Sequence, residues 1–153
     1  MPNWIPRDLT SDIMAAVEAE DDSTWVFYIT SAGGEGKTIL LRQIGMKLGS
    51  PNGITPADGW SGILDLYHSD VNSNSGLENH LSTNLETDGK EFTAYREERD
   101  LFTARREAGL LGSELETGRE RIAEIFAACL NTVTDKGRTV IALDTTERIQ
   151  YER

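Results

Sequence analysis

A glycine-rich octapeptide, Ser31-Ala32-Gly33-Gly34-Glu35-Gly36-Lys37-Thr38, stands at a junction that few folds accommodate. Before it, Trp25-Val26-Phe27-Tyr28-Ile29 is an unbroken apolar, β-branched and aromatic run. A run of that kind, ending in glycines, predicts a strand buried on both faces, as in a parallel sheet. After it, Ile39, Leu40, Leu41, Ile44 and Leu48 recur at helical spacing, and Gly49-Ser50-Pro51-Asn52-Gly53 stops them. The octapeptide is therefore expected to be a tight strand-to-helix turn.

The rest of the chain repeats the alternation. Thr10-Ser11-Asp12 predicts a cap for a short helix to about residue 20, with Ile13, Met14 and Val17 on one face. Residues 51–62 read as a loop, and 62–67 and 139–143 as further strands, the last delivering Asp144 at its carboxyl end. Leu77, Leu81 and Leu85 predict a helix over 77–86. Phe92, Tyr95 and Phe102 mark one face of a charged helix. Two successive capping boxes, 113–116 and 117–120, precede a helix carrying Ile122, Ile125, Phe126, Cys129, Leu130 and Val133, which Asp135-Lys136-Gly137 ends. Strands alternating with helices predict an α/β layer fold with a mainly parallel sheet. Residues 1–23 read as an arm and short helix, and 24–153 as the core.

Composition narrows the function classes. At 153 residues the chain is one domain's worth of protein, able to bury roughly 70% of its unfolded surface. No apolar run approaches the roughly 20 residues that cross a bilayer, and the N-terminus lacks the pattern of a secretory signal. The single cysteine, Cys129, permits no internal disulfide, so a reducing, cytoplasmic setting is expected. A net charge of −11 gives a mean field that repels nucleic acid. Neither a membrane nor a nucleic acid is expected as a partner.

The octapeptide suits a phosphate. Close backbone approach to an anion needs positions without side chains, and Gly33, Gly34 and Gly36 supply them and permit positive φ. The following helix adds the positive end of its dipole. Lys37 brings a mobile charge for β- and γ-phosphates, and Thr38 a hydroxyl for Mg²⁺. Ser31 stands where such loops usually carry a glycine. Residues 31–39, through Ile39, are the expected nucleotide contacts. Asp144, at a strand end, has the placement of an acid that holds Mg²⁺ directly or through water; a helix cap is the plainer alternative. Glu147, three residues on, could activate the attacking water as a general base or be an exposed first-turn carboxylate. Lys37 and Glu147 are the candidate catalytic residues, and Thr38 and Asp144 the candidate metal ligands. No Asn-Lys-x-Asp segment is present, which favours ATP over GTP.

Ser-Ala-Gly-Gly-Glu-Gly-Lys-Thr-Ile-Leu-Leu resembles the P-loop of the STAND class, the signal-transduction ATPases related to NACHT and NB-ARC proteins. Asp144-Thr145-Thr146-Glu147 is similar to the acidic motif of that class. The stretches from Leu64-Asp65-Leu66-Tyr67 to Ser75-Gly76-Leu77-Glu78 resemble the region after the P-loop helix in bacterial members. Trp4-Ile5-Pro6-Arg7 is similar to the segment that contacts adenine, with Pro6 where glycine is usual. The resemblance implies a P-loop NTPase three-layer sandwich, Mg²⁺ and ATP binding, and hydrolysis that resets a switch in a multidomain regulator with protein partners or self-association. It also implies that residues 1–153 correspond to the first half of the ATPase domain, incomplete at the C-terminus. In the strand order of the class, that leaves a gap in the sheet beside 25–29. A small nucleotide or metabolite kinase and a non-hydrolysing interaction module are the rival readings.

Remaining candidates have plainer expectations. Glu35 should point to solvent, since it would repel phosphate. His68 and His80, with Asp65 and Asp70, match no strong metal signature. Asp65 could approach the Mg²⁺ site or serve structure alone. Cys129 belongs to a core face. Arg96, Arg99, Arg105, Arg106, Arg119 and Arg121, interspersed with glutamates, read as a solvated helix face. Trp4, Trp25 and Trp60 are expected in core or boundary packing.

Overall fold

A computed structural model describes residues 7–19, 23–30, 34–109 and 111–146. In chain order the elements are α1 (Arg7–Glu18), α2 (Lys37–Lys47), β1 (Trp60–Asp65), α3 (Asn74–Asn84), α4 (Thr93–Glu107), α5 (Ser113–Thr134) and β2 (Val140–Asp144). The two strands pair in parallel, so the molecule is of mixed α/β architecture built around a small parallel sheet.

Helices cover both faces of that sheet because neighbouring strand residues point opposite ways. Ile63 and Ala142 join a core with Ile13 of α1, Leu40 and Ile44 of α2, and Trp60. Leu64 and Leu143, each one residue further on, join the other core, with Leu81, Phe92, Tyr95, Ile122, Cys129 and Val133 from the α3–α5 side. Tyr95, Phe92 and Trp60 are fully buried. Phe126 packs edge-on against Tyr95 at 5.2 Å between ring centroids, close to the preferred aromatic geometry.

β1 contains an irregularity that decides which way its far end faces. Trp60 pairs with Val140 but Ile63 with Ala142, so one extra residue is accommodated between them. Gly62 takes φ 74°, and a Cβ there would lie 2.7 Å from the Ile54 carbonyl oxygen. Ser61 repairs the ladder: its hydroxyl accepts the Ala142 N–H at 3.1 Å, and its carbonyl accepts from Asn84 Nδ2 at 2.8 Å. Past the bulge, Leu64 pairs with Leu143 and Asp65 with Asp144.

The structure corrects several expectations. Residues 25–29 belong to no strand; 23–30 lack regular secondary structure. Trp25, Val26 and Tyr28 are 58%, 88% and 66% exposed, and within the run only Ile29 packs on the α2-side core. An apolar run signals a need for burial without supplying the neighbour that buries it, and among the described residues β1 and β2 alone form the sheet. Arg138 fixes the start of the segment near β2, donating to the Ser23 carbonyl at 2.8 Å and to that of Ala19. The first helix already includes Arg7, so Thr10-Ser11-Asp12 lies inside it and not at its start. Neither capping box forms: Gly112 is the N-cap of α5 and makes no side-chain cap, and the helix runs unbroken through Thr117. Ser73 caps α3 instead, accepting the Gly76 N–H at 3.1 Å, so that helix begins three residues early. Trp25 is exposed, while Trp60 and Cys129 are buried as expected.

Candidate functional site

The site gathers where α2 starts and both strands end. Gly36, with φ 88° and ψ 20°, is the N-cap of α2. That left-handed conformation is open to glycine and strained for other residues, and it turns the chain straight into the helix. Gly34 is also left-handed, at φ 83°. Gly36 offers no side chain to the first-turn N–H groups, and its carbonyl accepts the first helical bond from Leu40 at 3.0 Å. The amide-rich start of α2 therefore carries the positive end of the helix dipole with no acidic residue in its first turn. Glu35, Thr38 and Ile39 are exposed, and Lys37 is half-buried. Ser31, Ala32 and Gly33 lie outside the described residues, as do Glu147 and Trp4-Ile5-Pro6.

The strand ends bring acid to this turn. Asp144 shares the face of Ala142, two residues before it, and that face looks toward α2. Thr38 Oγ1 donates to Asp144 Oδ2 at 2.7 Å, joining residues 106 positions apart. The other carboxylate oxygen, Oδ1, accepts the Thr145 N–H at 2.9 Å. Asp65, in register with Asp144, accepts on Oδ1 from the Tyr67 N–H at 2.9 Å and the Thr145 hydroxyl at 2.8 Å. A cleft of about 480 Å³ opens beside these groups, lined by Thr38, Arg42, Asp65, His68, His80 and Asp144 among others.

The donor chemistry suits a hard divalent cation. Thr38 and Asp144 present oxygen alone, with hydroxyl and carboxylate already in contact. Mg²⁺ is typically held by one or two carboxylates, substrate phosphates and retained water, not by an all-protein cage. Among the described residues no group of three or more His, Cys, Asp or Glu converges as a metal site. The two histidines take acids individually: His80 Nε2 lies 3.2 Å from Asp70 and His68 Nε2 3.8 Å from Asp65.

Several other candidates lie elsewhere. Arg96 is not a solvated arginine; it pairs in bidentate fashion with Glu86 and lowers the pKa of that carboxyl. Arg99 donates to Asn79 at 2.6 Å, and Arg121 lies 3.1 Å from the buried Glu98. Thr145 is the participant that sequence reading passed over, where it figured only as the residue after Asp144. Its signal would have been a β-branched hydroxyl next to a strand-end acid.

Comparison with protein-family models, with curated proteins and with solved structures finds no match to this chain. Among the described residues no helix is long and apolar enough to cross a membrane.

Proposed function

We propose that the chain binds the phosphates of Mg²⁺-ATP at the start of α2, as the P-loop domain of a STAND-type regulatory ATPase with the P-loop three-layer sandwich fold. The observation that carries the reading is the 2.7 Å hydrogen bond from Thr38 to Asp144. The residue after a glycine–lysine pair at a helix start and an acid ending a distant strand meet where a phosphate-bound cation needs both. Positive φ at Gly34 and Gly36 supports it, since backbone of that kind is able to turn N–H groups toward an anion. In this reading Lys37 reaches the β- and γ-phosphates, Thr38 and Asp144 hold the cation, and Glu147 orients water. The bound cation would offset charge on the phosphate oxygens as it develops.

Thermal unfolding with and without Mg²⁺-ATP tests this. A ligand at 100 times its Kd adds about 2.7 kcal/mol to a fold that binds it only when native. Wild type should gain stability and Lys37→Ala should not. Absence of any gain in folded wild type sinks the reading. One observation favours a second reading, a nucleotide-binding interaction module without turnover: the exposed apolar residues Trp25, Val26 and Tyr28. Binding without phosphate release would select it.

A further inference from the structure

Asp65 and Asp144 end neighbouring parallel strands in register. Two carboxylates so placed repel each other, and the ladder does not fix how either one turns. Thr145 stands between them, its hydroxyl on Asp65 Oδ1 and its backbone N–H on Asp144 Oδ1. Thr145 holds φ 60°, and among the described residues no other non-glycine has a positive φ. A β-branched residue keeps that conformation only where its surroundings enforce it. Asp65 can enforce it because the same oxygen is already tied to its own turn by the Tyr67 N–H. With Thr145 so held, its N–H occupies Asp144 Oδ1 and leaves Oδ2 directed at Thr38.

We propose that Asp65 is a positioning residue for the cation-binding carboxylate, acting through Thr145 to orient Asp144 toward Thr38. This rests on the Mg²⁺-nucleotide reading above and adds to it a residue remote from the glycine-rich loop. Asp65 acts in this scheme as a hydrogen-bond acceptor, not as a ligand of the cation.

The test is magnesium titration of fluorescent ATP-analogue binding, with circular dichroism to establish that each variant is folded. Asp65→Ala should raise the Mg²⁺ concentration for half-saturation by about tenfold or more, the usual scale for losing a partner behind a metal ligand. Magnesium-free nucleotide affinity should not change. Asp65→Asn keeps an oxygen that accepts the Thr145 hydroxyl and should stay near wild type. Glycine adopts positive φ without strain, so adding Thr145→Gly to Asp65→Ala should recover most of the loss. Thr145→Val removes the hydroxyl alone and should repeat the defect, which keeps the bond testable if Asp65→Ala folds poorly. An Asp65→Asn defect as large as that of alanine, unrelieved by glycine, makes Asp65 a charge partner of the cation and overturns the positioning role. So does Asp65→Ala with wild-type magnesium dependence. Wild type that binds nucleotide without responding to magnesium overturns the parent reading as well, and that defect shows before any variant is made.

Discussion

At the scale of single residues, the candidate site holds two threonines that make different contacts. Thr38 is exposed and gives its hydroxyl to Asp144 across the molecule. Thr145 is half-buried and serves two acids with one backbone and one side-chain donor. Thr38→Val retains the branched shape but removes the donor. The expected result is little change in unfolding midpoint without ligand, because the bond is solvent-accessible and such bonds contribute about 1 kcal/mol. Magnesium-dependent nucleotide binding should fall at least about tenfold. A valine variant that binds Mg²⁺-ATP like wild type would remove Thr38 from the site. The sequence marked Thr38 as a candidate because glycine and lysine stand before it. It left Thr145 obscure because a left-handed threonine is imposed by tertiary contacts, and no local pattern encodes it.

At the scale of elements, helix faces were the most legible feature. Leu77, Leu81 and Leu85, and likewise Ile122, Cys129 and Val133, point inward as their spacing predicts. The terminal strand was legible to within a residue, with Asp144 at its carboxyl end. Strand β1 was placed two residues late because its alternation is broken at Ser61-Gly62. Trp60 and Ile63, three residues apart, share a core, which a period of two forbids. The run 25–29 was misread for the opposite reason. Its pattern is ideal for a strand, but pairing is a property of two segments, and one segment cannot reveal the other. Helix starts failed where a glycine or serine just outside the expected boundary took the capping position, as Gly112 and Ser73 do.

At the scale of the whole molecule, the helices of one face are fastened to the entrance of β2 by charge. Lys136, in the turn after α5, reaches Asp88 at 2.7 Å and Glu91 at 2.8 Å in the loop before α4. Lys136, followed by the Thr87 hydroxyl, holds the Glu91 carboxyl far below the usual carboxylate range. A depressed carboxyl contributes stability that is present above its unfolded value of about 4.3 and is lost as pH falls toward its folded value. The Lys136 ammonium is raised by Asp88 and then Glu91, so its contribution holds below about pH 10.4 and is lost as pH rises further. Lys136→Met should therefore unfold at lower temperature at neutral pH, and its midpoint should fall less steeply than that of wild type below about pH 4.3. Parallel acid profiles for the two proteins would show that the clasp contributes nothing to the fold. The bulge in β1 carries a different kind of consequence, one written in codons. An in-frame deletion of Gly62 leaves Trp60 and Ile63 two positions apart, on the face they already share, and keeps Asp65 beside Asp144. That deletion should spare magnesium-dependent nucleotide binding, so the reading of β1 fails if the variant folds and no longer binds.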